Sequence, residues 1–103
     1  MREIKDSDWK LVRKLHSVAL ERFCGETLLE INRIDAKVTG SNHQKYLEIY
    51  GLIRRRDREI ARVFNDLRRS TALRCVVEMA NRGLLTKEEC SAFSKEMHSH
   101  ISG

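Results

Sequence analysis

The sequence predicts an all-α protein, and three observations support this prediction. Apolar residues recur at helical spacing over the long stretch from His43 to Arg69. The 103 residues include no proline and only five glycines, so few residues interrupt a helix. The alternation of β-branched and aromatic residues that marks a strand is missing. We therefore predict a single helical domain over residues 1–103, an antiparallel four-helix arrangement with a long helical hairpin and two shorter C-terminal helices.

The first predicted helix covers about residues 7–38. Asp6 or Ser7 is placed to cap its start, because both side chains accept hydrogen bonds from free backbone N–H groups at a helix N-terminus. The apolar positions change side at Gly25, where those that follow lie nearly opposite those that precede. Either the helix kinks at this glycine, or it continues while its two halves bury different faces. We predict a continuous or gently kinked helix.

Residues 39–42, with the sequence Thr-Gly-Ser-Asn, predict the turn of the hairpin. Gly40 suits the left-handed conformation that follows a helix, and Ser41 or Asn42 suits the next N-cap. A connection this short makes the first two helices antiparallel. The second helix is predicted over about residues 42–69, a length of roughly 40 Å. Its buried side is predicted to be the arc formed by Tyr46, Ile49, Tyr50, Ile53, Ile60, Phe64 and Leu67.

A break is predicted between the second helix and the third. The apolar side of the chain shifts by nearly half a turn at Ser70 and Thr71, where the run of good helix formers also stops. The alternative is one very long helix that is buried on both sides, as in an intertwined dimer. We predict the break, with the third helix over about residues 71–82.

The fourth helix is predicted over about residues 87–97, and local signals mark its start. Gly83 stands where the third helix ends. Thr86 and Glu89 have the spacing of a capping box, in which each side chain accepts a hydrogen bond from the other residue's backbone N–H. The residues from His98 onward are predicted to fray.

Charge and cysteine content narrow the classes of partner. The chain has 20 lysines and arginines against 15 acidic residues, and the net charge of +5 permits an anionic partner without requiring one. Three widely spaced cysteines indicate reduced thiols. No apolar run has the length of a membrane span, and residues 1–10 lack the apolar core of a signal peptide. We expect a cytoplasmic protein without a membrane partner.

Motifs for catalysis and metal binding are absent from the sequence. Cys90, His98 and His100 lack the paired spacing of structural zinc ligands, and no Glu-x-x-His pair is present for a di-iron site. Cys24 is interpreted as a small side chain at a helix crossing rather than as a nucleophile activated by Arg22. There is no glycine-rich phosphate loop. We predict no catalytic residue, no metal and no cofactor.

A ridge of arginines on the second helix is the candidate site for an anion or a nucleic acid. Two of them have an acid four residues later, Glu59 after Arg55 and Asp66 after Arg62, which is the spacing of intrahelical ion pairs. No aromatic residues interleave with the arginines to stack on bases. A solvated, self-paired surface is therefore the main interpretation, and nucleic-acid binding is the alternative. The ridge comprises Arg55, Arg58, Arg62 and Arg69.

A buried polar pair is predicted between the two helices of the hairpin. Asp57 lies in the middle of the apolar arc of the second helix, and Arg22 lies in the apolar arc of the first. Antiparallel pairing about Gly40 places the two residues opposite each other. Each charge is costly to bury alone, whereas together they form a bridge, with Tyr50 nearby and Glu26 at the margin. We interpret this candidate site as a structural pair, with a ligand or catalytic pocket as the alternative.

These observations lead to three hypotheses about function. The sequence carries no motif set of a known family, so no activity is assigned by resemblance. We predict a small, non-enzymatic helical interaction module of bacterial type, which forms a homodimer along its long helices because these carry more apolar surface than one chain covers. The first alternative is a nucleic-acid-associated regulator that uses the arginine ridge. The second is a small-molecule-binding or catalytic bundle around Arg22 and Asp57.

Overall fold

The computed structural model describes residues 4–101, and this part of the chain is all-α, as predicted. Five α-helices and one short 3-10 helix follow one another without a strand within these residues. Their bounds are Asp6–Asp35 for α1, Asn42–Val63 for α2, Arg69–Thr71 for the 3-10 helix, Ala72–Asn81 for α3, Lys87–Ser91 for α4 and Lys95–Ile101 for α5.

α1 passes Gly25 without interruption, so the prediction of a continuous helix is confirmed. Its buried side does not change at the glycine, however. Val12, Phe23 and Ile34 are all buried, and successive members stand eleven residues apart, which separates them by only about 20° around the axis. The expected change of buried face is therefore wrong. Leu28, on another side of the helix after the glycine, is 60% exposed.

The hairpin turn forms where the sequence predicted it, although α1 ends a few residues early, at Asp35. Gly40 has a φ of +91°, in the left-handed region that glycine favours. The Ser41 hydroxyl accepts a hydrogen bond from the backbone N–H of Gln44 (3.1 Å), and the Gln44 side chain accepts one from the backbone N–H of Ser41 (2.8 Å). These reciprocal bonds cap α2 and turn the chain back along α1.

α2 ends at Val63, and its end confirms a break but places it earlier than Ser70. Phe64 explains the position. Its side chain is buried and packs against Phe23, with ring centroids 5.8 Å apart. Its carbonyl oxygen accepts a hydrogen bond from His16 Nε2 (2.8 Å). This oxygen has no partner within the helix, so a side chain of α1 satisfies it and the helix can stop.

The predicted fourth helix is in fact two helices, α4 and α5, separated by residues 92–94. A buried side chain of α1 accounts for the interruption. The Asp8 carboxylate accepts hydrogen bonds from the backbone N–H of Ser94 (2.9 Å) and from its hydroxyl (2.6 Å). Ser94 is thereby held immediately before α5, in the position of an N-cap. No local pattern predicts this break, because its cause lies 86 residues away in the chain.

The local signals around α4 and α5 are largely confirmed. Gly83 has a φ of +72° after the end of α3. Thr86 and Glu89 form the predicted capping box, with bonds of 2.8 and 3.1 Å. The predicted fraying from His98 is wrong for the described residues, since α5 continues to Ile101. Residues 102 and 103 lie outside the described part.

The helices form two regions that differ in thickness, and the described residues extend over 52 × 24 × 21 Å. The core end, residues 4–23 and 57–101, packs the first half of α1 and the end of α2 against α3, α4 and α5. The hairpin arm, residues 24–56, consists of the rest of α1 and α2 with their turn. Only Ile34 and Leu52 are buried in the arm. The main core lies in the core end and comprises Val12, Leu15, Ala19, Phe23, Val63, Phe64, Ala72, Val76, Met79, Leu84, Phe93 and Met97.

Candidate interaction surfaces

The predicted pair between Arg22 and Asp57 does not form. Arg22 instead binds Glu89 of α4 through two hydrogen bonds of 2.7 and 3.0 Å, and it donates a third to the carbonyl oxygen of Leu84 (2.8 Å). Asp57 is exposed on α2. The predicted pair does not form because α4 packs beside α1 and supplies a closer carboxylate, that of Glu89.

The other two members of the predicted polar site are also exposed. Tyr50 is 52% exposed, and Glu26 lies on the surface of α1. Asp57 stands seven residues after Tyr50, so the two lie within about 20° of each other on α2 and point to the same side. The structure therefore does not bring the four residues together, and a ligand or catalytic pocket built on Arg22 and Asp57 loses its geometric basis.

Glu89 joins two structural roles at the start of α4. Its carboxylate accepts a hydrogen bond from the backbone N–H of Thr86 in the capping box, and it accepts two more from the guanidinium group of Arg22. The hydrogen bonds from Arg22 are the main reason that the pKa of Glu89 falls to about 2. The sequence revealed the capping role of Glu89, since Thr86 is three residues away, but gave no signal for Arg22, which is 67 residues away.

A small charged cleft lies where the hairpin arm meets the core end. Arg56 donates to Glu30 across the hairpin (3.0 Å) and to Glu59 (3.4 Å), and Arg82 after α3 lies 3.5 Å from Glu59. The cleft has a volume of about 220 Å³, below the range of roughly 300–1,000 Å³ that is typical of ligand pockets. Its arginines are already paired with its glutamates, which favours a structural role in joining the two regions.

The hairpin arm exposes large apolar side chains. Tyr46, Tyr50 and Ile53 are 65%, 52% and 44% exposed, although they belong to the arc that was predicted to be the buried side of α2. That prediction is wrong for this half of the helix, because α3, α4 and α5 do not extend along the arm. Isolated exposed apolar residues are common in proteins, but several on adjacent turns of one helix indicate an interaction surface.

Helix geometry shows which side of the arm these residues occupy. Nine residues correspond to about half a turn around an α-helix. Arg22 of α1 reaches α4, and Ile31 stands nine residues later, so it points away from α4. Glu59 of α2 reaches Arg82, and Tyr50 stands nine residues earlier, so it points away from α3. Ile31 and Tyr50 therefore lie on the side of the hairpin that the C-terminal helices leave open. We term it the arm face, and it comprises Leu28, Ile31, Tyr46, Ile49, Tyr50 and Ile53.

The structure places three of the four predicted ridge arginines on one exposed side of α2. We term them the arginine row, and they are Arg55, Arg58 and Arg62. The fourth, Arg69, lies beyond the end of α2 and contacts the N-terminal region instead. It binds Asp6 (2.6 Å) and donates to the carbonyl oxygen of Ile4 (2.7 Å). The predicted ridge is therefore shorter than expected, because the helix that would have carried Arg69 ends at Val63.

The self-pairing expected for the ridge is also wrong. Glu59 binds Arg56 and Arg82 rather than Arg55. Asp66 lies outside α2, where it binds Arg68 (3.2 Å) and Arg74 (3.4 Å) rather than Arg62. Within residues 4–101, no ion pair includes a member of the arginine row.

The cysteines and histidines do not assemble into a metal site within the described residues. No group of three or more histidine, cysteine, aspartate or glutamate side chains in that range is arranged to hold a metal ion. Cys24, Cys75 and Cys90 are free thiols, and burial raises the pKa of Cys75 and of Cys90. None of the helices in the described range is long and apolar enough to cross a membrane.

Comparisons of the chain with protein-family models, with curated proteins and with solved structures find no match. The arm face and the arginine row are therefore interpreted from their own geometry and chemistry.

Proposed function

We propose that the protein is a small, non-enzymatic helical interaction module that forms a homodimer through the arm face. The observation that carries the proposal is the continuous exposure of apolar residues on adjacent turns of the arm, including Leu28, Tyr46, Tyr50 and Ile53. Burial of apolar surface is the main favourable contribution to association between proteins. A second helical layer on this side would cover the arm as α3 to α5 cover the core end.

The dimensions of the arm set the size of the two-fold interface. The arm contains residues 42–56 of α2, which correspond to a length of about 22 Å, and two adjacent helices are about 20 Å wide. Two hairpins in face-to-face contact along this length would enclose roughly 450 Å² on each chain, or about 900 Å² in total. This is below the range of about 1,200–2,000 Å² for stable protein interfaces, so the dimer should be weak and dependent on concentration.

The charges at the edge of the arm face favour a second copy of the same chain as the partner. Arg54 lies over the ring of Tyr50, at 5.7 Å from its centroid, and Asp57 stands three residues later with no ion pair in the described range. A two-fold interface uses the same surface on both chains. A two-fold axis beside these residues would bring the arginine of each copy toward the aspartate of the other. The arm face is therefore self-complementary in charge as well as apolar.

The mass in solution tests this proposal. We expect the mass from light scattering to rise toward about 24 kDa, twice the 12.0 kDa of one chain, as the concentration is raised from micromolar to millimolar. Leu28→Glu should give the mass of a monomer, because a carboxylate on the arm face would be buried without a partner. A wild-type mass of 12.0 kDa throughout this range of concentration would contradict the proposal.

The adjacent residue provides a matched control. Leu29 is 55% exposed, close to the 60% of Leu28, so both substitutions change a similarly exposed leucine of the same helix. Leu29 stands seven residues after Arg22, so it lies within about 20° of the side that faces α4 and outside the arm face. Leu29→Glu should leave the dimer intact. If both variants become monomeric, or neither does, the arm face is not the interface.

A further inference from the structure

The arginine row occupies the side of α2 opposite the arm face. Each of its members stands nine residues after an apolar residue of the arm face, which is about half a turn around the helix. Contacts with α1 occupy the side between them, where Leu52 is buried. A partner on the arm face would therefore leave the row accessible. The three opposed pairs are Tyr46 and Arg55, Ile49 and Arg58, and Ile53 and Arg62.

The members of the row have no carboxylate to neutralise them, although acids are available nearby. Glu59 and Asp66 stand four residues after Arg55 and Arg62, but both bind other arginines. Arg74, which is paired with Asp66, lies at the end of the row, with its guanidinium 3.5 Å from the carbonyl oxygen of Arg62. A surface of neighbouring guanidinium groups without internal counter-charges attracts anions more strongly than a self-paired one.

We infer that the arginine row binds the phosphate backbone of a nucleic-acid duplex without reading its base sequence. The planar guanidinium group matches the geometry of phosphate oxygens. Arg55 and Arg62 are separated by about 10 Å along a rigid helix, which allows their long side chains to reach successive phosphates of one strand. The net charge of +5 adds a general attraction for polyanions.

The types of side chain that the row lacks indicate which anionic polymer it binds. No aromatic side chain stands among the three arginines, so the surface lacks the stacking platform that single-strand-binding proteins use. Helices that bind membrane surfaces carry large apolar side chains on the face opposite their cations. On α2 that face is the arm face, which a second chain covers in the proposed dimer. Between Arg55 and Arg62 the chain also has no amide, serine or threonine side chain of the kind that reads base edges. A duplex that is contacted only through phosphates fits this composition.

Fluorescence anisotropy with two labelled 20-base-pair duplexes of unrelated sequence tests the inference. The wild-type protein should bind both with the same affinity at 50 mM salt. The slope of the logarithm of affinity against the logarithm of salt concentration should be about −2.7, the value for three phosphate contacts. The triple variant R55Q/R58Q/R62Q should bind at least tenfold more weakly at 50 mM salt and should lose most of this slope.

A triple variant with the same loss of charge is the matched control. K10Q/K14Q/K87Q removes three exposed lysines that form no ion pair in the described range, and it should weaken binding less than threefold. Equal losses in the two triple variants would overturn the inference in favour of a non-specific charge effect. Absence of wild-type binding at 50 mM salt would overturn it as well, and so would row-dependent binding to phosphatidylserine vesicles without binding to a duplex.

Two further measurements separate the possible causes of a negative result. Far-UV circular dichroism shows whether the triple variant retains its helicity. If it does not, the single variant Arg58→Gln should flatten the salt slope by about 0.9, the value for one phosphate contact. An unchanged slope in that variant would contradict the inference. Leu28→Glu should retain the salt slope per chain, because the row does not depend on the dimer.

Discussion

The core end and the hairpin arm are built from the same two helices but bury them to different extents. In the core end, α3, α4 and α5 form a further layer, and Val12, Val76 and Met79 are fully buried. In the arm, α1 and α2 pack only against each other, and Ile34 and Leu52 are the buried residues. The apolar pattern of a helix therefore shows which side can be buried, whereas the number of layers determines whether it is.

The junction between the two regions is polar rather than apolar. Arg56 joins the two helices of the arm through Glu30, and Glu59 joins α2 to Arg82 after α3. Partly exposed ion pairs of this kind contribute little to stability individually. They do, however, pair the charged side chains that lie where α3, α4 and α5 stop covering α1 and α2. If the regions differ as described, substitutions in the core end should be far more costly than equivalent ones in the arm.

The largest effect is expected for Met79→Ala, in the centre of the core end. Met79 is fully buried, and truncation of such a side chain costs about 2–5 kcal/mol because a cavity remains. Leu47→Ala in the arm is the control, since Leu47 is 51% exposed and lies outside the arm face, and it should change stability by less than about 0.5 kcal/mol. Denaturation with urea measures both. Similar losses for the two variants would mean that the arm is packed as tightly as the core end.

A smaller loss, about 2 kcal/mol, is expected for Asp8→Ala. The variant leaves the backbone N–H and the hydroxyl of Ser94 without their acceptor in a partly buried position. Because this contact also separates α4 from α5, amide exchange should accelerate in both short helices before it does so in α1. Glu21→Ala, an exposed acid of the same helix, is the control and should have almost no effect. Unchanged exchange in α5 would show that the Asp8 carboxylate does not hold its start.

The smallest effect, about 1 kcal/mol at neutral pH, is expected for Glu89→Gln, which weakens a charge-assisted bond at the partly exposed edge of the core end. The pKa of Glu89 is lowered from 4.5 to about 2, so its contribution to stability is complete above about pH 4.5. It is lost as the pH falls from 4.5 toward 2. The variant should therefore show a flatter decrease of stability over this range. Glu88→Gln, an exposed neighbour, should retain the wild-type decrease, and an equally steep decrease in Glu89→Gln would assign the acid sensitivity to other groups.

Local features of the fold were predictable because their causes lie within a few residues. Gly40 and Ser41 specify the turn and the following cap, and Thr86 and Glu89 specify the start of α4. The position at which α2 ends was less predictable. Good helix formers continue to Arg69, but burial of Phe64 and its bond to His16 end the helix at Val63. Tertiary contacts thus overrode the local preference.

The candidate sites show the same difference between features with local causes and features with long-range causes. The sequence identified Arg22 as a charge on an apolar side of α1, and it identified Arg55, Arg58 and Arg62 as neighbours on α2. It assigned the wrong partners to both. Glu89, the acid that binds Arg22, is 67 residues away in the sequence. The acids beside the arginine row are bound to Arg56, Arg82, Arg68 and Arg74. Charge pairing depends on distances of a few ångströms between elements that are remote in sequence, so local spacing does not specify it.

By itself, the sequence determined the helical class, the antiparallel hairpin and the caps that begin α2 and α4, because helical period and capping bonds act over at most a few turns. Only the tertiary structure decided which part of each apolar arc is covered. The arc of α2 from Tyr46 to Ile60 is one continuous pattern in the sequence, yet α3 to α5 pack beside its end alone. The physical reason is that burial requires a second surface within contact distance, and a single helix does not specify where that surface stops.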